Sequence, residues 1–183
     1  MTALGRAVVV LALLLAEGVA VAAADPLAGV VLVDVTDRSW ALDELSGEPV
    51  LLVIADRKAV PQAEAWGARL AGRTTLLAPW RAPGKVAWLS VADLRRVPEY
   101  ARASARERLR EQRVAPPAGE APRISPLLLD WRGVIAGGLQ AERGAAALIL
   151  LGRDRQPVLR VTGAPSESAV TEMVEAIARV VRP

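Results

Sequence analysis

The chain has 183 residues, 52% of them hydrophobic, and a net charge of +3 from 23 basic and 20 acidic side chains. Cysteine and histidine are both absent. Their absence excludes disulfides, thiolate nucleophiles, zinc sites of the usual ligand set, haem ligated by His or Cys, and Ser-His-Asp triads. The length suits one domain with a sizeable core. With no Phe and one Tyr, that core must be Leu, Val, Ile and Ala with a few Trp.

Residues 1–24 read as a signal peptide. Arg6 is a thin positive start, Ala7 to Ala16 a short apolar run, and Ala22-Ala23-Ala24 a small-residue cleavage site before Asp25. Glu17 interrupts the apolar run, which is too short to span a bilayer. Cleavage is expected after Ala24, with export to the periplasm or beyond. Residues 25–183 then form a single domain, with no stable membrane span after cleavage.

Val-rich Gly29 to Val35 predicts a strand, followed by a turn at Thr36 to Ser39. Trp40 to Leu45 is a short connector or one helical turn, stopped by Gly47-Glu48-Pro49. Val50 to Ala55 is an apolar run of strand length, suited to a buried central strand. Ala59 to Leu70 carries Ala63, Trp66 and Leu70 at helical spacing, and Gly72 ends it. Thr74 to Leu77 predicts a short strand and Lys85 to Val91 a longer one, around the loop Pro79 to Gly84. Asp93 is a candidate cap for the next helix, placed at Pro98 to Arg113.

Val114 to Arg123 is a Pro/Gly/Ala loop. Pro126 to Asp130 predicts a strand, Trp131 to Gly133 a turn, and Val134 to Leu139 a short helix. Ala145 to Leu151 and Pro157 to Val161 flank a turn and predict a hairpin. Ser166 or Ser168 caps a last helix reaching Val181, with an apolar stripe of Val170, Met173, Val174, Ile177 and Val181. The order implies an α/β fold: a mixed central sheet with an extra N-terminal strand or hairpin and helices on both faces.

The segments "WALDELSGEPVLLVIA" and "KAVPQ" and the block Ala145 to Arg182 resemble the exported thioredoxin-like proteins. "KAVPQ" aligns with their C-x-P-C junction, keeping Pro61 and placing Ala59 and Gln62 at the degenerate cysteine positions. The sequence also resembles the YtfJ family, exported thioredoxin-like proteins whose junction lacks the cysteine pair and reads A-x-R, as Ala55-Asp56-Arg57 does. The block "LLDWRGVIAGGLQ" is similar to that family's D-x-x-G-V turn through Asp130, Gly133 and Val134. The resemblance implies a thioredoxin-like fold without thiol chemistry. The redox proteins' cis-proline neighbourhood reads Ala145-Ala146-Ala147 here.

Arg57, Lys58 and Gln62 at the start of the helix after the junction are the candidate binding residues. A helix N-terminus with free amides and neighbouring cations suits an anion; the plainer reading is a solvated turn. Asp34, Asp37 and Asp43 lack cation-binding spacing, so no metal site and no cofactor is expected. Arg102, Arg106, Arg110 and Arg113 make a basic helix face, interspersed with Glu as in a salt-bridged solvated helix. Trp66, Trp80, Trp88 and Trp131 suit core packing, Trp80 being the most exposed by its loop context.

The functional expectation is a non-catalytic binding protein of the cell envelope, taking a protein or a small anionic ligand and no nucleic acid. The alternative is a non-redox enzyme using Asp56 and Arg57. That alternative requires an enclosed polar pocket at Asp56 to Gln62. The sequence carries no oligomeric signal.

Overall fold

The computed structural model describes residues 25–114 and 125–182. The expected signal peptide and most of the expected loop after Val114 lie outside them. Among the described residues, eight strands form one sheet: β1 (Val31–Asp34), β2 (Ser39–Ala41), β3 (Val50–Ala55), β4 (Leu77–Ala78), β5 (Val86–Asp93), β6 (Leu127–Asp130), β7 (Ala147–Leu151) and β8 (Pro157–Thr162). Four helices accompany them: α1 (Val60–Ala71), α2 (Arg102–Val114), α3 (Val134–Gly138) and α4 (Glu167–Val181). The strand order is β2-β1-β6-β5-β3-β7-β8, with β4 paired to β5.

β3 occupies the expected six residues because an uninterrupted apolar run can be buried on both sides of a sheet. It pairs parallel to β5 and antiparallel to β7. Its alternation divides the core. Val50, Leu52 and Ile54 face the cluster that holds Ile135 and Ala136 of α3, whereas Leu51 and Val53 face Trp66 of α1 and Met173 of α4. Each such fully buried aliphatic side chain contributes about 1.5–3 kcal/mol. Shifting the register by one residue would exchange the two faces.

The helices follow their apolar stripes. α4 buries Val170, Met173, Ala176 and Ile177, and the Ser166 hydroxyl caps it by accepting from the Ala169 amide at 3.2 Å. α1 buries Trp66 and Leu70. The Trp66 indole donates to the Gly163 carbonyl at 2.8 Å, tying α1 to the link between β8 and α4. Gly67 leaves room for Trp88, whose ring lies 3.6 Å from where a Cβ would stand.

Several expectations are corrected. Trp40 to Leu45 holds the expected helical turn only at Leu42–Leu45, which is 3₁₀; Trp40 and Ala41 belong to β2. That strand makes β1 and β2 an antiparallel hairpin. The short strand expected at Thr74 to Leu77 forms at Leu77–Ala78 instead, since Thr74 is spent on the turn, accepting from the Leu76 amide. Asp93 ends β5 and does not cap a helix; its carboxylate accepts from Arg95. The helix expected from Pro98 begins as a 3₁₀ turn at Glu99–Ala101 before α2.

Candidate functional site

The parallel strands β3, β5 and β6 end side by side, with Ala55 opposite Ala92 and Asp93 opposite Asp130. β7 and β1 run the other way, so the residues just before them reach the same edge. Three strand ends and two strand starts therefore share one rim. In open α/β sheets the crevice outside such strand ends is where ligands are held.

Each strand end carries an aspartate, and each aspartate is turned to structural work. Asp56 follows β3. One of its oxygens accepts from the Lys58 and Ala59 amides at 3.0 and 3.1 Å, and the other from the Gly144 amide at 3.1 Å. Asp93 ends β5 and forms a two-pronged pair with Arg95, at 2.9 and 2.7 Å. Burial alone would raise the Asp93 pKa, but the Arg95 bonds outweigh it and hold the group below its ordinary value. Asp93 in turn holds Arg95 more firmly protonated, with Asp130 and Asp56 adding to the field around it. Asp130 ends β6, is fully buried, and accepts from the amides of Val134, Ile135 and Ala136 at 2.8–3.0 Å.

The D-x-x-G-V turn now has a physical basis. Asp130 satisfies the first amides of α3, which would otherwise be orphaned. Gly133 takes φ +72, and a Cβ there would come within 1.8 Å of the Arg95 side chain. Glycine is needed both for the left-handed backbone and for the close approach of Arg95.

The sequence-derived site residues lie on this rim. Arg57 and Lys58 are exposed, Ala59 is fully buried, and Gln62 is half-buried. The Gln62 side-chain oxygen accepts from the Ala146 amide at 2.9 Å. Ala59 and Gln62 thus do different jobs: one fills core, and the other bridges α1 to the start of β7. The helix amides expected to be free are partly engaged, because Asp56 supplies its own carboxylate to them. Any anion here would meet the side chains of Arg57 and Lys58.

Topology adds four cations that local sequence reading did not group with these. Arg95, Arg96, Arg132 and Arg143 are all exposed in the segments flanking the same strand ends. Against them stand the exposed Glu99 and Glu142. Asp93 and Arg95 largely cancel one another as an ion pair, while Asp56 and Asp130 keep their charge on backbone amides, so the cations outside that pair are Arg57, Lys58, Arg96, Arg132 and Arg143.

The other sequence candidates are separated. Asp34 accepts from Thr36, Arg38 and Trp40, Asp37 pairs with Arg106, and Asp43 accepts from the Gly29 amide. On α2, Arg102 stacks 5.7 Å from the Trp131 ring centre and Arg106 pairs with Asp37, whereas Arg110 is exposed beside Glu107 of the same helix. Trp80 is half-buried, because it packs edge-to-face on Trp40 at 4.5 Å.

Two surface grooves flank the sheet. One, of about 460 Å³, is lined by Asp34, Arg38, Trp40, Trp80 and Pro126 among others. A second, of about 150 Å³, lies between β1 and the end of β6, lined by Val31, Trp131, Arg132 and Val134 among others. Neither is lined by a residue from 56 to 62, where the enzyme alternative required an enclosed polar pocket.

No protein-family model matches the chain, and no curated protein is significantly similar to it in sequence. Among solved structures it is similar to the exposed lipoprotein thioredoxin Etrx1 of Streptococcus pneumoniae, at 13% identity and a TM-score of 0.57 over 80% of this chain and 97% of that one. It is also similar to a secreted disulfide oxidoreductase of Mycobacterium tuberculosis, at 16% identity and a TM-score of 0.51 over 85% of this chain and 99% of that one. The fold is thioredoxin-like, with a mixed sheet and helices on both faces. Cysteine is absent from the whole sequence. No helix among the described residues is long and apolar enough to cross a membrane.

Proposed function

We propose that this chain is an exported, non-catalytic binding protein that receives an anionic partner on the rim formed by the C-terminal ends of β3, β5 and β6. The observation that carries the reading is the disposition of charge there. Arg57, Lys58, Arg96, Arg132 and Arg143 are exposed along one rim beside the Asp93–Arg95 ion pair, while Asp56 and Asp130 are turned onto backbone amides. Clustered cations of this kind raise the local concentration of anions and speed their encounter. Thiol–disulfide chemistry has no sulfur to run on.

The YtfJ resemblance belongs to this reading, since that family pairs the same scaffold with a junction lacking cysteines. Export through residues 1–24, with a mature start at Asp25, agrees with the exposed and secreted character stated for the two structural neighbours. Nothing in the geometry favours acid–base chemistry at Asp56, whose oxygens together accept three amide bonds.

Titration of the full chain with fluorescein-labelled polyglutamate at low and at physiological salt tests the reading. Binding is expected to weaken several-fold with salt, and again with the double change Arg57→Ala and Lys58→Ala. Salt-insensitive binding, or none, contradicts it. Mass analysis of the product recovered from the cell envelope is expected to give a first residue of Asp25.

A further inference from the structure

The described residues expose five large apolar side chains: Val31, Val60, Tyr100, Val134 and Val158. Three of them lie near the rim described above: Val60 opens α1 after β3, Val134 opens α3 after β6, and Val31 opens β1. Val31, at 55% exposure, and Val134, at 39%, line the same small groove.

The groove exists because a ladder stops. β1 pairs with β6 at Val33–Leu129 and Asp34–Leu128, while Val31 pairs only with Ala41 of β2. Beyond Leu129 the chain leaves the sheet at Trp131. Val33 and Leu129 lie between the diverging segments and Trp131 stands as a wall, braced by the Arg102 guanidinium. Arg132 lines the groove and is exposed. Asp130, the carboxylate in the lining, is buried with both oxygens on α3 amides. The groove is thus apolar inside and cationic at its margin.

We propose that this groove seats one branched aliphatic side chain from an acidic, extended segment of a partner protein. The partner's carboxylates meet Arg132, which lines the groove, with the Asp93–Arg95 pair beside it at Gly133. Its volume of about 150 Å³ suits a single side chain, and an acyl chain would overrun it. The charge of the margin selects an acidic peptide over a basic or neutral one. The inference rests on the basic-rim reading and adds to it a hydrophobic anchor, the usual source of affinity within a polar surround.

Fluorescence anisotropy on the full chain separates the two. One probe is a short labelled peptide of Asp and Glu around a central leucine; the other has alanine in its place. The leucine peptide is expected to bind about tenfold more tightly, as burial of the extra methyl groups allows. Val31→Ser and Val134→Ser, both at exposed positions, are expected to erase that preference separately, with circular dichroism unchanged. The double change Arg57→Ala and Lys58→Ala is expected to weaken both peptides alike. Equal affinity for the two peptides, or a leucine preference that survives both serine variants, overturns the groove and leaves the basic rim standing. Indifference to Arg57→Ala and Lys58→Ala overturns the rim reading at those residues. Failure of both peptides to bind overturns both.

Discussion

Gly133 and Arg95 illustrate how two residues remote in sequence fix one another. The Arg95 stem crosses the space a Cβ on residue 133 would need, and Asp93 holds the guanidinium in place. Gly133→Ala is expected to cost about 2 kcal/mol or more, from left-handed strain plus displacement of Arg95. A thermal or urea unfolding curve measures it, and an unchanged midpoint would mean that Arg95 moves aside freely. Arg155 is the opposite case. It is 3% exposed, donates once to the Leu42 carbonyl at 3.2 Å, and buries Nε and Nη1 with no partner. Burial pushes its pKa down, only partly opposed by the fields of Asp25 and Asp43. A buried charge with so few bonds is a weak source of stability. Arg155→Met is therefore expected to leave the unfolding midpoint unchanged or raise it. A loss above about 2 kcal/mol would show that the attraction to Asp25 and Asp43 outweighs desolvation. Neither position stands out in the sequence, since the Arg95 contact and the Arg155 burial are both made by long-range packing.

Among the elements, the β1–β2 hairpin is held by one buried carboxylate. Asp34 accepts from the Thr36 amide and hydroxyl, the Arg38 amide and the Trp40 indole, at 2.7–3.2 Å. Burial alone would raise its pKa; the hydrogen bonds overcome that and lower it below the ordinary 3.8. A depressed carboxylate adds stability that is complete above its unfolded pKa and is lost as pH falls through the folded one. Asp34→Asn is thus expected to cost about 2 kcal/mol near neutral pH. Its deficit against the parent should shrink as pH drops below 3.8. A deficit independent of pH would assign the effect to shape instead of charge. The hairpin also shows where reading by element works and where it stops. β3 and α4 are legible because a six-residue apolar run and an apolar stripe behind a serine cap each imply one solution. β4 has two residues, too few to show a period. β2 is not legible from its residues because Trp40 owes its place to the Asp34 carboxylate across the turn and to Trp80, distant in sequence.

At the level of the whole molecule, the thioredoxin-like frame gathers segments from five strands onto one rim. Of the six cations on that rim, two are visible in sequence as Arg57 and Lys58, adjacent residues before a helix. Arg95, Arg96, Arg132 and Arg143 were visible only as scattered loop arginines. Strand order converts them into one surface, and order is what composition and periodicity do not encode. The same holds for the carboxylates: the commitment of Asp93 to Arg95 and of Asp56 and Asp130 to backbone amides is a property of the fold. On this scaffold Ala59 is turned to core and Gln62 braces α1 against the start of β7.

Backbone amide chemical shifts of the full chain, recorded as polyglutamate is added, address that central claim most directly. The perturbed amides are expected to cluster at residues 57–60, 94–97, 131–134 and 142–146, with perturbations that recede as salt is added. Perturbations centred on Arg38, Trp40 and Trp80, or none in the rim segments, would contradict it.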